Sequence, residues 1–115
     1  MNSFKDDFLE RYSRQIIMDQ IGVDGQKKIF KSSISIIGCG GLGTSAAQYL
    51  AMSGVNSLVL IDDDEISLSN LNRQTLFNEK DIGRKKSKIL ANKILKINKT
   101  LKVKNLEKRI TDKNI

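Results

Sequence analysis

The sequence has 115 residues, of which 39% are hydrophobic, and a formal net charge of +7; this suits one modest domain with enough apolar material for a core. Its single cysteine excludes a disulfide framework and a thiolate zinc site, and the absence of histidine removes the usual general base. There is no apolar run long enough to span a membrane, and the charged N-terminus MNSFKDDFLERY is not a secretory signal, so the predicted location is the cytoplasm.

The positive charge fits two classes of ligand, nucleic acid or a small molecule that carries phosphate. The chain contains only four Phe and two Tyr, and none lies within the basic cluster at residues 84–88. A platform of aromatic side chains for stacking on bases is therefore not predicted, and neither is a nucleic-acid partner.

The first thirty residues carry the periodicity of helices. Residues 4–20 are predicted to form an amphipathic helix, because large apolar side chains recur at every fourth position: Phe4, Phe8, Tyr12 and Ile16. A second, short helix is predicted from Gln26 to Phe30. These helices come before the first predicted strand.

From residue 33 onwards, short apolar runs alternate with helical segments. SISIIG (33–38) and SLVLI (57–61) are predicted to be buried strands, and LKVKNL (101–106) a third strand. Helices are predicted at Ser45–Ser53 and over roughly 84–98. This order predicts an α/β fold, the N-terminal half (about three strands) of a Rossmann-like parallel sheet, preceded by the helical segment. The last strand is expected to have an unpaired edge.

The turn after the first strand has the glycine pattern of nucleotide-binding sites. G-C-G-G-L-G at 38–43 matches G-x-G-x-x-G between a strand and a helix. Gly38 permits a tight turn, Gly40 lets the backbone approach a phosphate, and Gly43 lets the helix pack on the strand. Asp62 ends the second strand roughly twenty residues later, where a carboxylate meets ribose hydroxyls. A structural turn without a ligand is the alternative, and Cys39 is interpreted as a small packing residue.

The segment after Asp62 is rich in polar groups. Asp62 and Asp64 are predicted to lie on one side of an extended segment, with Asp63 on the other. Amide and cationic side chains follow in two groups: Asn70, Asn72, Arg73 and Gln74, then Arg84, Lys85, Lys86 and Lys88. Such a gathering of donors suits a triphosphate better than a dinucleotide, although a nicotinamide site stays open.

Several of these polar residues also have plainer structural interpretations. Asn70 could be a helix cap or a turn former, and Arg73 could pair with an acidic neighbour. Lys85 and Lys88 could form a solvated helix face.

Five segments together carry a family resemblance. They are RYSRQII (11–17), GVDGQ (22–26), GCGGLG (38–43), IDDDEISLSNLNRQ (61–74) and DIGRKK (81–86). In this order they resemble the start of the ThiF/MoeB/HesA family, bacterial relatives of ubiquitin-activating enzymes, over nearly the whole chain. The resemblance implies an enzyme that uses ATP and Mg²⁺ to adenylylate the C-terminal glycine of a ubiquitin-like sulfur-carrier protein. Such carriers serve thiamine or molybdenum-cofactor synthesis.

The resemblance also implies roles for individual residues. The nucleotide loop would consist of the four glycines Gly38, Gly40, Gly41 and Gly43. Asp62 would bind the ribose, and the phosphates would be held by Asn70, Arg73 and Lys86 as pyrophosphate leaves.

Arg14 would enter the site of a partner subunit, which makes the expected working unit a homodimer with composite sites. By its chemistry alone, Arg14 would be a surface charge on an amphipathic helix.

Other parts of the family pattern have no match in this sequence. These are the metal-binding aspartate, the paired Cys-x-x-C zinc motifs and the catalytic cysteine of some members, so no metal ligand is predicted here. Residues 1–115 are predicted to be a single ThiF-type nucleotide-binding domain, truncated at its C-terminal end and inactive as a separate chain. The alternatives are a non-catalytic nucleotide-binding or dimerising fragment and an NAD-dependent oxidoreductase half-domain.

Overall fold

The computed structural model describes residues 4–115, without the side chains of residues 4 and 5, so the predicted packing of Phe4 lies outside the described part. The helices are α1 (Phe4–Arg11), α2 (Ser13–Ile16), α3 (Gly22–Phe30), α4 (Gly41–Ser53) and α5 (Lys86–Ile97). The strands are β1 (Ser33–Ile37), β2 (Ser57–Ile61) and β3 (Lys102–Leu106), and two 3-10 helices cover Leu68–Asn72 and Glu79–Asp81.

The strands form a three-stranded parallel sheet in the order β1-β2-β3. Ser33 lies opposite Ser57, which in turn lies opposite Lys102. The crossovers between parallel neighbours run through α4 and α5. This arrangement confirms the predicted α/β, Rossmann-like half-sheet with its preceding helical segment.

The core lies between one face of the sheet and the two crossover helices. Leu58 and Leu60 of β2 are fully buried, and Ile34 and Ile36 of β1 and Val103 of β3 pack against the same cluster. From α4 the cluster receives Ala47 and Ala51, whose small side chains allow the helix backbone to approach the sheet. α5 completes the cluster with larger aliphatic side chains: Ile89, Leu90 and Ile94.

The prediction that the first strand is buried is wrong for β1. Ser33, Ser35 and Ile37 are exposed, and the residues between them are only half-buried. The reason is position, because β1 lies at one edge of the sheet and only one of its faces is covered by α4. β3 occupies the other edge, in agreement with the expected unpaired edge of the last strand.

The single helix predicted for residues 4–20 is interrupted at Tyr12. α1 ends at Arg11, α2 covers only Ser13–Ile16, and turns follow as far as α3. Tyr12 has a non-helical backbone (φ −106°, ψ 16°) and its side chain is buried, where its hydroxyl accepts a hydrogen bond of 3.1 Å from Asn98 Nδ2. The apolar period in the sequence was correct for Tyr12, but tertiary contacts decide where the helix breaks.

The other helix boundaries also differ from the predicted ones. α3 begins at Gly22 rather than Gln26, and α4 begins at Gly41 inside the glycine pattern rather than at Ser45. The polar stretch after β2, predicted to be irregular, contains the two 3-10 helices. Within residues 4–115, none of the helices has both the length and the apolar character needed to cross a bilayer.

Candidate functional site

The glycine turn joins β1 to α4, and two of its glycines are required by the protein itself. Gly38 has a left-handed backbone (φ +97°), and its N–H donates to the carbonyl oxygen of Ile61 at 2.8 Å. A Cβ on Gly43 would overlap the carbonyl oxygen of Gly38 and lie 2.9 Å from its carbonyl carbon. Gly43 therefore allows α4 to approach β1, as the sequence pattern predicts.

The other two glycines border open space. A Cβ added to Gly41 would meet nothing within 4 Å, and one on Gly40 would only just reach Nε2 of Gln74 at 4.0 Å. Gly40 is the N-cap of α4 and supplies no side-chain cap, so the first N–H groups of this thirteen-residue helix face that space. An anion placed there would meet unpaired donors and the positive end of the helix.

Asp62 closes the turn from the end of β2. One carboxylate oxygen, Oδ2, accepts from the N–H of Cys39 at 2.6 Å, and Oδ1 accepts from the N–H of Asp64 at 2.7 Å. Asp62 therefore stabilises the glycine turn in addition to its predicted contact with a ribose. This structural role is one that the sequence analysis missed.

Cys39 is fully buried behind this contact and is not a reactive thiol. Burial and the neighbouring Asp62 carboxylate raise the pKa of Cys39 to about 12, against a smaller opposing effect of the Lys86 charge. A thiol with such a pKa is protonated at neutral pH and is a poor nucleophile. The structure agrees with the interpretation of Cys39 as a packing residue.

The three aspartates converge more than the sequence predicted. One carboxylate oxygen from each of Asp62, Asp63 and Asp64 lies within 4.8 Å of the other two. The prediction that Asp63 points away is wrong, because the chain leaves the strand at Ile61 and does not continue as an extended segment. Asp63 forms an ion pair with Arg109 (Nε to Oδ2, 3.5 Å), a residue beyond β3.

A cavity of about 210 Å³ lies at the same end of the sheet. Its lining comes from the ends of β1 and β2 and from the segment after β3: Ile37, Gly38, Ile61, Asp62, Asp63, Asp64, Lys108, Arg109 and Ile110. The carboxyl ends of parallel strands are where open α/β sheets bind ligands. The segment after β3 was not singled out in the sequence because it carries no recognisable motif.

Asn70 is buried in the first 3-10 helix and caps it. Its Oδ1 accepts from the N–H of Ser67 at 2.9 Å and from Ser67 Oγ at 3.1 Å, which is a capping box. Asn70 therefore has the helix-capping role that was one of the plainer structural interpretations of this residue. In the described part of the chain Nδ2 of Asn70 makes no hydrogen bond, so it can still donate to a ligand.

Arg73 directly follows this helix and is exposed. Its Nη1 donates to the carbonyl oxygen of Ser69 at 3.1 Å and to Asn72 Oδ1 at 3.0 Å. Within residues 4–115 no carboxylate forms an ion pair with it, so the acidic partner considered for Arg73 is absent there. The guanidinium is held by neutral groups and keeps donors for an anion.

Lys86 is the first residue of α5 and is only 7% exposed. Its backbone N–H donates to the carbonyl oxygen of Asp64 at 3.0 Å, and its charge acts on Cys39 beneath the glycine turn. Among the described residues its ammonium has neither an ion pair nor a hydrogen bond. Lys85 was considered a solvated residue, but its Nζ donates to the carbonyl oxygen of Asp63 at 2.9 Å.

Arg14 lies at the far end of α4 from the glycine turn. The next residue, Gln15, donates from Nε2 to the carbonyl oxygen of Ser53 at 3.1 Å, and Ser53 is the last residue of α4. Thirteen helical residues span about 18 Å at 1.5 Å per residue, which is well beyond the reach of an arginine side chain. Arg14 is exposed and is not brought together with the other predicted site residues of its own chain.

Comparison with known protein families identifies the family of this chain. The model of the ThiF family matches residues 12–115. The chain belongs to the ThiF family.

Two curated proteins are similar to this chain over most of its length. The sulfur carrier protein ThiS adenylyltransferase of Escherichia coli (strain K12) is 50% identical over 105 residues, which cover 91% of this chain and 41% of that protein. The SAMP-activating enzyme E1 of Haloferax volcanii is 41% identical over 107 residues, covering 93% of this chain and 40% of the enzyme. The chain thus spans about two-fifths of the length of these relatives.

Solved structures of the same architecture include nucleotide complexes. The crystal structure of E. coli MccB with ATP matches with a TM-score of 0.83 and 34% identity, and it covers 94% of this chain and 36% of that one. MccB with AMPCPP and MccA matches with a TM-score of 0.81 and 37% identity, covering 89% of this chain and 32% of that one. The three-stranded sheet with its crossover helices is therefore a fold that these proteins share over about a third of their length.

Proposed function

We propose that this chain forms the ATP-binding part of a ThiF-family adenylyltransferase that activates the C-terminal glycine of a ubiquitin-like sulfur-carrier protein in the cytoplasm. The observation that carries the proposal is Lys86, a lysine only 7% exposed whose ammonium has no ionic partner among the described residues. A largely buried lysine without a counter-ion attracts anions, and its charge acts beside an open glycine turn whose helix N-terminus also attracts them. A polyphosphate supplies the missing negative charge at both places.

In the proposed complex the nucleoside occupies the cavity beside the turn. The ribose hydroxyls would meet Asp62, whose carboxylate is oriented by the N–H groups of Cys39 and Asp64. The base would lie in the cavity of about 210 Å³ against the segment around Arg109 and Ile110. The phosphates would then extend over Gly40 and Gly41 towards Asn70, Arg73 and Lys86.

We expect Mg²⁺ to bind together with ATP. The three aspartates at the end of β2 can supply few of its ligands. Asp62 already accepts two hydrogen bonds and Asp63 is paired with Arg109, whereas Asp64 is exposed. Mg²⁺ commonly takes one or two carboxylates with phosphate oxygens and waters, so Asp64 could provide one ligand. When bound, the ion would neutralise charge on the leaving pyrophosphate.

The reaction requires no general base from this chain. The attacking carboxylate of the carrier is ionised at neutral pH, so the absence of histidine is no obstacle. The task of the site is to align the carboxylate with the α-phosphate and to stabilise the charge that develops on pyrophosphate. Arg73 and Lys86 are suited to that second role because neither has an ionic partner among the described residues.

We infer that the working unit is a homodimer in which Arg14 acts on the partner's nucleotide. The position of Arg14 supports this, because α4 separates it from its own glycine turn. Two copies of α4 packed antiparallel across a twofold axis would bring the Arg14 end of one copy to the glycine turn of the other.

The outer face of α4 supports the same arrangement. None of its thirteen residues is charged, in a chain with 29% charged residues. Leu42, Tyr49 and Met52 on this face are exposed, Leu42 to 90%. Such a face lets two copies of a protein with a net charge of +7 meet without repulsion between like charges at the contact.

A chimera tests the proposed function. This chain would replace the matching segment of the E. coli ThiS adenylyltransferase, and exchange of radioactive pyrophosphate into ATP would be measured with and without ThiS. We expect carrier-dependent exchange in the chimera, and its loss by about 100-fold or more in a Lys86→Met version, because a charge-assisted contact to the leaving group would be missing.

The matched control for the chimera is Lys88→Met, because Lys88 is exposed on the same helix. A folded chimera without exchange, or a Lys86→Met version as active as the Lys88→Met one, would contradict the proposal.

A further inference from the structure

The side chain of Gln74 is almost fully buried beside the glycine turn, and its carboxamide makes no hydrogen bond among the described residues. Gln74 is 2% exposed, and its Oε1 has no hydrogen-bond partner. Its Nε2 also makes no hydrogen bond within the described residues, but unlike Oε1 it is accessible from the space beside it. A buried polar group without a partner costs roughly 1–3 kcal/mol, and such groups are rare in folded proteins.

The backbone holds Gln74 firmly in this position. Its N–H donates to the carbonyl oxygen of Asn70 at 2.9 Å, and its own carbonyl oxygen accepts from Phe77 at 3.1 Å. The backbone therefore keeps the side chain in place, with Oε1 sealed from solvent. Its Nε2 lies 4.0 Å from the point that a Cβ on Gly40 would occupy, and therefore borders the open space over Gly40 and Gly41.

We propose that Gln74 is a nucleotide-binding residue whose Nε2 donates a hydrogen bond to a phosphate oxygen held over Gly40. This inference rests on the proposed function and adds to it a contact that the family resemblance did not assign. A phosphate oxygen is an acceptor and suits the NH₂ end of the amide, whereas a glutamine that only fills space would be replaced by an apolar side chain of the same length without loss.

The decisive variant is Gln74→Met, which keeps the length and the volume but removes the donor. Affinities for ATP, AMP and adenosine are measured by calorimetry, and the melting temperature is measured without ligand. We expect a melting temperature equal to or above that of the unchanged chain, because an unsatisfied polar group is lost. Affinity for ATP and AMP should fall by about 10-fold or more, while that for adenosine stays the same.

Two controls accompany this variant. Gln48→Met makes the same chemical change at a half-buried position on α4 and should leave all three affinities unchanged. In the unchanged chain, the side-chain NH₂ signal of Gln74 in an NMR spectrum should shift with AMP and not with adenosine, which tests the contact even if Gln74→Met does not fold.

The outcomes separate the two proposals. Equal ATP affinity of Gln74→Met and the unchanged chain, or an NH₂ signal that does not respond to AMP, would overturn the role of Gln74 alone. Equal losses for adenosine and AMP would also overturn it, because they would indicate a packing role. Failure of the unchanged chain to bind ATP at all would overturn the proposed function together with this inference.

Discussion

At the scale of single residues, Asp62 and Cys39 act as a structural pair. The carboxylate of Asp62 accepts from the Cys39 N–H, and the same carboxylate helps to raise the pKa of the buried Cys39 thiol. Asp62, the residue expected to bind the ribose, thus also orders the backbone of the glycine turn. The turn is therefore formed before a nucleotide binds. The residue expected to bind the ligand thus stabilises the loop that surrounds the ligand.

The raised pKa of Cys39 predicts how stability changes in alkali. The folded-state pKa of about 12 lies above the ordinary 9.0, so the folded state favours the protonated thiol. The stabilisation is complete below pH 9 and is lost between pH 9 and about 12, at roughly 1.4 kcal/mol per pKa unit. Urea unfolding between pH 8 and 11 should show a downward slope that Cys39→Ala reduces.

Alkylation gives an independent check on the same thiol. The folded protein should react with iodoacetamide at pH 8 far more slowly than the unfolded protein. Equal alkylation rates, or the same alkaline slope in Cys39→Ala, would contradict the assignment.

At the scale of elements, the contact between α4 and β1 divides the glycines of the turn into two classes. Gly43 is needed because the helix passes directly against the carbonyl of Gly38, whereas Gly41 borders open space. The first class determines the fold, and the second class leaves room for a ligand.

Paired substitutions distinguish these classes. Gly43→Ala should destabilise the protein by about 3 kcal/mol or more, because the new Cβ overlaps backbone that cannot move without displacing α4. Gly41→Ala should leave the free energy of unfolding unchanged or slightly higher but weaken ATP binding by at least about 10-fold. Urea unfolding and calorimetry measure the two quantities. A stable Gly43→Ala protein, or normal ATP affinity in Gly41→Ala, would argue against this division.

Sequence periodicity was sufficient for the strands and for α4 and α5, because each has one face in the core. It failed where distant contacts decide the local backbone. The break at Tyr12 depends on Asn98, 86 residues away, and no local pattern encodes that hydrogen bond. The 3-10 helix that contains Asn70 depends on a capping box with Ser67, in a stretch without an apolar period.

Site residues divide in the same way. The placement of the glycine pattern and of Asp62 at the carboxyl ends of β1 and β2 was predictable because their spacing along the chain is tied to the β-α-β unit. Gln74 was one member of a polar group in the sequence, and only its unpaired Oε1 in the structure sets it apart from its neighbours. The segment around Arg109 reaches the site through tertiary structure, so only the cavity lining reveals it.

At the scale of the whole molecule, the uncharged face of α4 is the proposed contact between two copies. Tyr49 lies on it and is 66% exposed. Tyr49→Lys should convert a dimer into a monomer in sedimentation velocity, because two like charges would meet across the twofold axis. Tyr49→Glu should do the same, and mixing the two variants should restore a dimer.

The control for the dimer contact is Leu95→Lys, which introduces a charge at an exposed apolar residue on α5. It should not alter the sedimentation coefficient. Dimers that persist in both Tyr49 variants, or a monomeric unchanged chain, would exclude this face as the dimer contact.

The central claim is that the glycine turn with Lys86 binds ATP, and titration of this chain with ATP and with NAD tests it most directly. We predict tighter binding of ATP than of NAD, and a decrease of at least about 10-fold in ATP affinity for Lys86→Met with a melting temperature equal to or above that of the unchanged chain. Tighter binding of NAD, or equal ATP affinity in the unchanged chain and in Lys86→Met, would contradict the account.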